Sequence, residues 1–185
     1  MNRTNFQPLK NDSARFEATI LPHLDAAYNL ARWLTGNEND ARDMVQDASL
    51  RAFKFFDGFR GGDARAWLLK IVRNTVYTWL QRRRTREQVF KDEDEIEMLE
   101  DVSVNPGQLL ERNATIELVR TAIAQLAPEF REAIVLREME GFSYKEISDI
   151  AGVRLGTVMS RLARGRRELQ RILAQERSAA GGSTT

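Results

Sequence analysis

Residues 143–167, SYKEISDIAGVRLGTVMSRLARGRR, contain two helix-forming segments separated by a glycine. Ser143 and Glu146 fit a capping box, in which each side chain accepts a hydrogen bond from the backbone N–H of the other residue. Gly152 permits a tight turn, since glycine readily adopts positive φ. A short capped helix, a turn and a longer basic helix predict a helix-turn-helix, whose second helix enters a DNA groove.

The second helix of this motif is strongly basic. Between residues 161 and 171 it carries Arg161, Arg164, Arg166, Arg167 and Arg171, against the single carboxylate of Glu168. We expect Ser160, Arg161 and Arg164 near the helix start to meet base edges, where an arginine can bind guanine through two parallel hydrogen bonds. Arg166 is better placed for phosphates. The alternative is a solvated basic helix end that the helix dipole favours.

Apolar residues recur at three- and four-residue spacing over most of the chain, which predicts an all-α fold. Asp63 is a suitable N-cap and Pro128 suits the first turn of a helix. The predicted helices are 16–34, about 39–56, 63 to about 84, 116–126, 128–139, 143–151 and about 156–176.

Composition changes after the third helix. The segment 87–101 holds the carboxylates of Glu87, Asp92, Glu93, Asp94, Glu95, Glu97, Glu100 and Asp101, with Lys91 as its basic residue. Such a charge block repels itself, and the breaker Asn105-Pro106-Gly107 follows it. We therefore predict two small helical domains joined by a flexible acidic linker. The predicted ranges are a flexible N-terminus 1–12, an N-terminal domain 13–86, the linker 87–108, a C-terminal domain 109–176 and a disordered tail 177–185.

The segment 60–86 combines basic and aromatic residues. Its basic residues are Arg60, Arg65, Lys70, Arg73, Arg82, Arg83, Arg84 and Arg86, with Asp63 as the acid and Trp67, Tyr77 and Trp79 interleaved. Single-stranded or melting DNA is bound by such a surface, because cations follow the backbone and rings stack on exposed bases. The alternative is that the tryptophans belong to the core; Trp79, on the apolar stripe, is interpreted so, and Trp67 stays open.

A polar helix face is predicted between residues 40 and 54. Asp43, Gln46, Asp47 and Arg51 lie along it. Such a face is either solvated or binds a partner, and the spacing alone leaves both interpretations open.

The sequence offers no catalytic or metal-binding cluster. It has no cysteine, and its one histidine, His23, has no metal-ligand neighbours in sequence, so its role is interpreted as structural. No phosphate-binding glycine loop or nucleophile elbow is present, and no cofactor is expected. No apolar run approaches the roughly 20 residues that span a membrane. We expect a cytoplasmic protein that is not an enzyme and does not insert into membranes.

Three stretches in this order resemble the extracytoplasmic-function (ECF) group of sigma factors of the sigma-70 family. They are Asp40-Ala41-Arg42-Asp43-Met44-Val45-Gln46-Asp47-Ala48, then Phe59 to Leu68 with Arg73-Asn74, and finally Phe142 to Ile147 with Gly156 to Arg166. The resemblance covers about residues 13–175.

The resemblance implies a subunit that binds core RNA polymerase and directs promoter recognition. By this resemblance the core-polymerase contacts fall to Asp43, Gln46, Asp47 and Arg51. Capture of the minus-ten element falls to Arg60, Asp63, Trp67, Arg73, Asn74 and Tyr77. Contact with the minus-thirty-five element falls to Ser160, Arg161, Arg164 and Arg166. The family further implies promoter DNA and an anti-sigma factor as partners, and a linker that threads the polymerase cleft.

The sequence departs from the family pattern at two positions. Ser148 stands where alanine is frequent and is tolerated if its hydroxyl bonds back to the helix. Met159 stands where lysine or arginine is frequent, which removes a possible phosphate or base contact. The other function weighed is a stand-alone helix-turn-helix regulator with an N-terminal sensing or dimerisation domain; the basic aromatic segment argues against it, because a sensor has no need of that segment.

Overall fold

The structure, a computed structural model, describes residues 8–90 and 112–181. Its helices are α1 Pro8–Ile20, α2 Leu24–Thr35, α3 Glu38–Lys54, α4 Ala64–Phe90, α5 Arg112–Gln125, α6 Pro128–Ile134, α7 Tyr144–Ala151 and α8 Leu155–Gly181. No strand occurs within these two described ranges, and the all-α prediction is confirmed.

The helices of the N-terminal half pack as a group in which α2, α3 and α4 contact one another. Leu30 of α2, Ala48 of α3, and Leu68 and Val72 of α4 are fully buried where they meet. The small side chains of α3 let its backbone approach α2 and α4 closely. Leu68, Val72, Thr75 and Val76 recur along α4 at three- and four-residue spacing and are all buried, and Trp79 packs against this core as expected.

The predicted first helix, 16–34, is wrong in one respect. The chain forms α1 and α2 with a 3₁₀ turn, Leu21–His23, between them. Pro22 lies in this turn, and a proline inside an α-helix lacks an N–H and collides with the carbonyl four residues back. The apolar spacing continues across the break, so periodicity alone did not reveal it.

Local signals define the other helix ends in this half. Gly36 ends α2 with φ 74°, a conformation that favours glycine, and its N–H donates to the carbonyl of Arg32. The Asn37 side chain then accepts from the N–H of Asn39 at 2.8 Å and caps α3. Asp63 accepts from the N–H of Ala66 at 3.0 Å, so the predicted cap of α4 is confirmed.

The C-terminal half is built on α8, which packs against α5, α6 and α7. The chain continues from α6 through a π-helical turn, Val135–Met139, before α7 begins. Pro128 occupies the first turn of α6, as predicted. Val158 and Leu162 of α8 are buried against Ile147 and Ile150 of α7.

The two halves pack against each other, since α2 contacts α6 and α4 contacts α7. Their buried residues form one connected core cluster. Arg131 of α6 reaches across and donates from Nη1 to the carbonyl of Trp33 in the last turn of α2 at 2.9 Å. That carbonyl lies where an α-helix leaves its acceptors unpaired, so Arg131 completes the end of α2.

Three of the predicted domain boundaries lie inside observed helices. α1 begins at Pro8, inside the predicted flexible 1–12, and α4 continues to Phe90, inside the predicted linker. α8 continues to Gly181, because Ala179 and Ala180 favour helix in the predicted tail. The structure does not describe residues 1–7, 91–111 and 182–185. Most of the predicted linker falls in the second of these ranges.

Candidate nucleic-acid interface

The N-terminal end of α4 carries an aromatic cluster. The Trp67 ring lies 5.1 Å from that of Phe59 and 6.3 Å from that of Phe56, measured between centroids, and Trp67 is half-buried. Arg60 follows Phe59 in the loop before α4 and is exposed. Trp67 therefore belongs partly to the core, and part of its surface remains exposed.

Arg73 and Tyr77 are one turn apart on α4 and face the C-terminal half. Nε of Arg73 donates to Oε1 of Glu132 at 2.7 Å, and the Tyr77 hydroxyl donates to Oε2 of the same carboxylate at 3.1 Å. Glu132 is 1% exposed. Burial, and then the Glu132 charge, raise the pKa of Tyr77, so its hydroxyl remains a donor. Asn74 is exposed and accepts from Nη1 of Arg73 at 3.3 Å.

A second buried carboxylate repeats this arrangement nearer the start of α4. Arg65 pairs with the Glu140 side chain and donates from Nη1 to the Glu140 carbonyl at 2.8 Å. The Arg65 guanidinium also lies 4.6 Å from the centroid of the Phe142 ring. Arg65 and Arg73 are thus each held by an acid of the C-terminal half.

The helix-turn-helix is formed by α7 and α8. Glu146 accepts from the Ser143 N–H at 2.7 Å and the Glu146 N–H donates to the Ser143 hydroxyl at 3.3 Å, so the predicted capping box is confirmed. Gly152 has φ 65° in the turn. Ser148 does not bond back to its helix: its hydroxyl donates forward to the Val153 carbonyl at 2.5 Å and stabilises the turn.

The predicted base-reading side chains of α8 differ in their partners. The Ser160 hydroxyl donates to the Thr157 carbonyl, and Arg166 pairs with Glu138 at 2.6 Å. Arg161 turns toward Glu132, with Nη1 3.8 Å from Oε2. Arg164 is exposed and makes no ion pair with any side chain in the described part of the chain. The structure therefore brings Arg164 to the open face and turns Arg161 inward.

The predicted polar face of α3 is open. Asp43, Gln46, Asp47 and Arg51 are all exposed. Leu50, which sequence reasoning missed, lies on the same face with 65% of its surface exposed. The sequence did indicate Leu50, because it is an apolar residue four positions after Gln46 and so shares the polar face of the helix.

Sequence reasoning also missed Glu132 and Glu140. The available signal was weak: Glu132 is an acid between apolar Phe130 and Ala133 in a helix. Within residues 8–90 and 112–181, no three potential metal ligands cluster. No helix in those ranges is long and apolar enough to cross a membrane.

A helix-turn-helix packed against a basic helix that carries aromatic side chains defines the class: an all-α protein of two helical halves, one of which contains a DNA-binding motif. Two family models match the chain in this order. The model of sigma-70 region 2 matches residues 19–86 and that of sigma-70 region 4 matches residues 116–169.

Relatives extend these matches. The chain is 35% identical over 164 residues to ECF RNA polymerase sigma factor SigE of Mycolicibacterium smegmatis, covering 88% of this chain and 63% of that protein. It thus spans less than two thirds of that relative. It is 36% identical to ECF RNA polymerase sigma factor EcfG of Rhodopseudomonas palustris, over 76% of this chain and 75% of the relative.

A solved sigma factor structure also matches this chain. The sigma factor RpoE of Bartonella quintana, in complex with the anti-sigma factor NepR, matches with a TM-score of 0.70 and 33% identity. The match covers 86% of this chain and 97% of RpoE. The chain belongs to the ECF group of the sigma-70 family of RNA polymerase sigma factors. The region 2 match occupies the half where the alternative regulator would carry its sensing domain, so that alternative is not favoured.

Proposed function

We propose that this protein is a sigma factor that binds core RNA polymerase and directs it to a set of promoters, without catalysing a reaction itself. The observation that carries the proposal is the presence in one chain of two separate surfaces suited to DNA. One is the basic aromatic side of α4 and the other is the open face of α8. A simple repressor needs only the second surface.

The minus-ten element is assigned to Arg60, Asp63, Trp67, Arg73, Asn74 and Tyr77. Stacking of unpaired bases on Trp67 and Tyr77, with phosphates near the arginines, is the chemistry that this set supports. Arg73 and Tyr77 are covered by Glu132 here. DNA binding by this pair therefore requires the C-terminal half to move away from α4. Asp63 already caps α4, so its contribution is to position the loop that holds Arg60.

The minus-thirty-five element is assigned to α8. Among Ser160, Arg161, Arg164 and Arg166, the exposure of Arg164 makes it the leading candidate for a base contact. Arg166 pairs with Glu138 at the exposed surface, where the pair can exchange for a phosphate. Arg161 is better suited to hold α8 through Glu132.

The core polymerase surface is assigned to Asp43, Gln46, Asp47 and Arg51. All four are exposed on one helix, and Leu50 adds an apolar centre to them. An apolar centre with a polar rim is the common anatomy of a protein interface. We assign Leu50 to this surface as well.

An anti-sigma factor is proposed as a further partner. The matched RpoE was solved with the anti-sigma factor NepR, and the matched CnrH was solved with the cytosolic domain of CnrY. We place the protein in the cytoplasm, where the bacterial template and polymerase meet. The acidic segment 87–108 is assigned to the polymerase cleft.

Run-off transcription with core polymerase and a library of random promoters tests the proposal. Addition of this protein should select a defined pair of sequence elements and start transcription downstream of them. Core polymerase alone is the control. The absence of any site-selected initiation would refute the proposed function.

A further inference from the structure

The open face of α8 carries a strip of apolar side chains. Leu155, Met159 and Ala163 follow one another at four-residue spacing and are all exposed. Leu155 is 47% exposed and Met159 is 53% exposed. Leu155, Met159 and Ala163, here called the apolar strip, are distinct from the buried side of α8, where Val158 and Leu162 pack. The strip is therefore not part of the core.

Within α8 the charged side chains that flank the apolar strip are cationic, and Glu138 from outside α8 pairs with Arg166. No acid occurs in α8 from Leu155 to Arg167, while Arg154, Arg164 and Arg167 are exposed on either side of the strip. This charge favours a polyanion over a neutral protein groove as the occupant. The capped α7 and the turn at Gly152 precede this end of α8, which is the arrangement of a helix-turn-helix whose second helix enters a DNA groove.

Two of the polar side chains near the apolar strip are already engaged within the protein. The Ser160 hydroxyl is bonded within its own helix, and Arg161 is turned toward Glu132. Arg164 supplies a cationic donor further round the helix, while Leu155 and Met159, nearer the start of α8, are large, exposed and apolar. In the major groove the apolar group that distinguishes one base from the others is the 5-methyl group of thymine. A face of this composition is suited to contact that methyl group.

We propose that Leu155 and Met159 contact thymine methyl groups in the upstream promoter element, so that this sigma factor selects thymine at two positions. The inference rests on the proposed function and specifies its recognition chemistry. Four residues of helix rise about 6 Å, close to the roughly 7 Å between base pairs two steps apart. The two thymine contacts should therefore fall about two base pairs apart.

The test uses holoenzyme assembled from the full chain and core polymerase, with duplex promoters taken from the library selection. Each thymine of the upstream element is replaced in turn by deoxyuridine, which lacks only the 5-methyl group. Loss of one buried methyl contact should weaken holoenzyme binding about fourfold at each of two positions. Met159→Ala should abolish the deoxyuridine effect at one position, and Leu155→Ala should abolish it at the other.

The matched control is Met139→Ala, which truncates an exposed methionine outside α8. It should retain the wild-type deoxyuridine effect at both positions. The inference is overturned if deoxyuridine leaves holoenzyme affinity unchanged at every position. It is equally overturned if deoxyuridine lowers the affinity of the Met159→Ala holoenzyme as much as that of the wild type at both positions. It is also overturned if the selected element contains no thymine, or if Met159→Ala weakens the binding of holoenzyme to every promoter equally, with or without deoxyuridine. These outcomes require promoter-selective initiation, so they are distinct from failure of the proposed function.

Discussion

Glu132 of α6 and Arg73 of α4 form an ion pair between the two halves of the protein, with Oε1 2.7 Å from Nε. The Glu132 side chain is 1% exposed and that of Arg73 is 19% exposed, so the pair is largely removed from solvent. Oε2 of the same carboxylate accepts from Tyr77 and lies 3.8 Å from Nη1 of Arg161. One acid thus contacts residues of both assigned DNA-binding surfaces, and its charge competes with DNA phosphates for them.

We expect Glu132→Gln to shift the protein toward an open arrangement. The amide keeps the shape of the side chain but loses the charge that strengthens its hydrogen bond to Arg73. A hydrogen bond to a charged group contributes about 1.5 kcal/mol or more, so the open fraction should rise about tenfold. The chain has no cysteine, so Ala18→Cys and Gln170→Cys provide unique labelling sites on the two halves. Energy transfer between labels at these exposed positions should fall in the variant.

Glu129→Gln is the matched control, because it removes the same charge from the same helix without touching Arg73. Its energy transfer should equal that of the parent. Binding of a single-stranded minus-ten oligonucleotide should increase in Glu132→Gln relative to Glu129→Gln, since the apparent affinity follows the fraction of competent molecules. Equal energy transfer and equal oligonucleotide affinity in the two variants would reject the assigned covering role of Glu132.

The ion pair between Glu132 and Arg73 also marks the limit of what the sequence predicts. The caps at Asp63 and Ser143 and the turn at Gly152 were predictable, because each depends on residues within a few positions. Glu132 and Arg73 are 59 positions apart. Their pairing depends on how two helical groups pack, and neither charge pattern nor apolar spacing carries that information.

The candidate site likewise has features that the sequence predicts and features that only packing determines. The sequence places Arg161 and Arg164 together on α8, and only packing separates them, because Glu132 attracts Arg161. The break at Pro22 is a different case. The proline was visible in the sequence, but the apolar spacing on both sides of it outweighed that local signal.

Asp47→Arg should weaken binding to core polymerase by roughly tenfold. The carboxylate lies on the exposed face of α3, and reversing its charge places a repulsive group at the assigned interface. A fluorescence titration of labelled protein with core polymerase measures the change. Asp25→Arg, the same reversal on an exposed site of α2, should retain wild-type affinity. Equal affinity of both variants would contradict the assigned surface.

Arg164→Ala should cost about 1–3 kcal/mol of holoenzyme affinity at the selected upstream element, if the arginine makes a bidentate base contact. The cost should disappear on a scrambled upstream element, because a base contact is specific to sequence. Arg171→Ala is the control, since Arg171 is exposed on the same helix and paired with Glu168 at 2.6 Å. A loss of equal size on both templates would indicate a phosphate contact instead.

Glu146→Gln should reduce stability at neutral pH but not in strong acid. Hydrogen bonds from Ser143 lower the pKa of the Glu146 carboxyl below its ordinary value of 4.5. The ionised carboxylate therefore stabilises the fold above the unfolded-chain pKa, and this contribution is lost as pH falls through the folded pKa. Urea unfolding across a pH series should show the gap to wild type narrowing as the pH falls below the ordinary carboxyl pKa of 4.5. A gap of the same size at every pH would contradict the assignment.

Gly165→Ala should destabilise the C-terminal half by about 1 kcal/mol, although alanine favours helix. A Cβ at Gly165 would lie 3.2 Å from Cγ1 of Ile134 and 3.3 Å from Cβ of Phe130, contacts so tight that these neighbours must shift to accept it. Overpacking costs about 1–3 kcal/mol, which exceeds the helix-propensity gain of about 1 kcal/mol. Gly156→Ala is the matched control, because a Cβ at Gly156 meets no atom within 4 Å. Urea unfolding should therefore order the proteins as Gly165→Ala, wild type and Gly156→Ala, from least to most stable. If Gly165→Ala instead equals Gly156→Ala in stability, α6 can retreat from α8 without cost, and the close approach of the two helices does not require glycine.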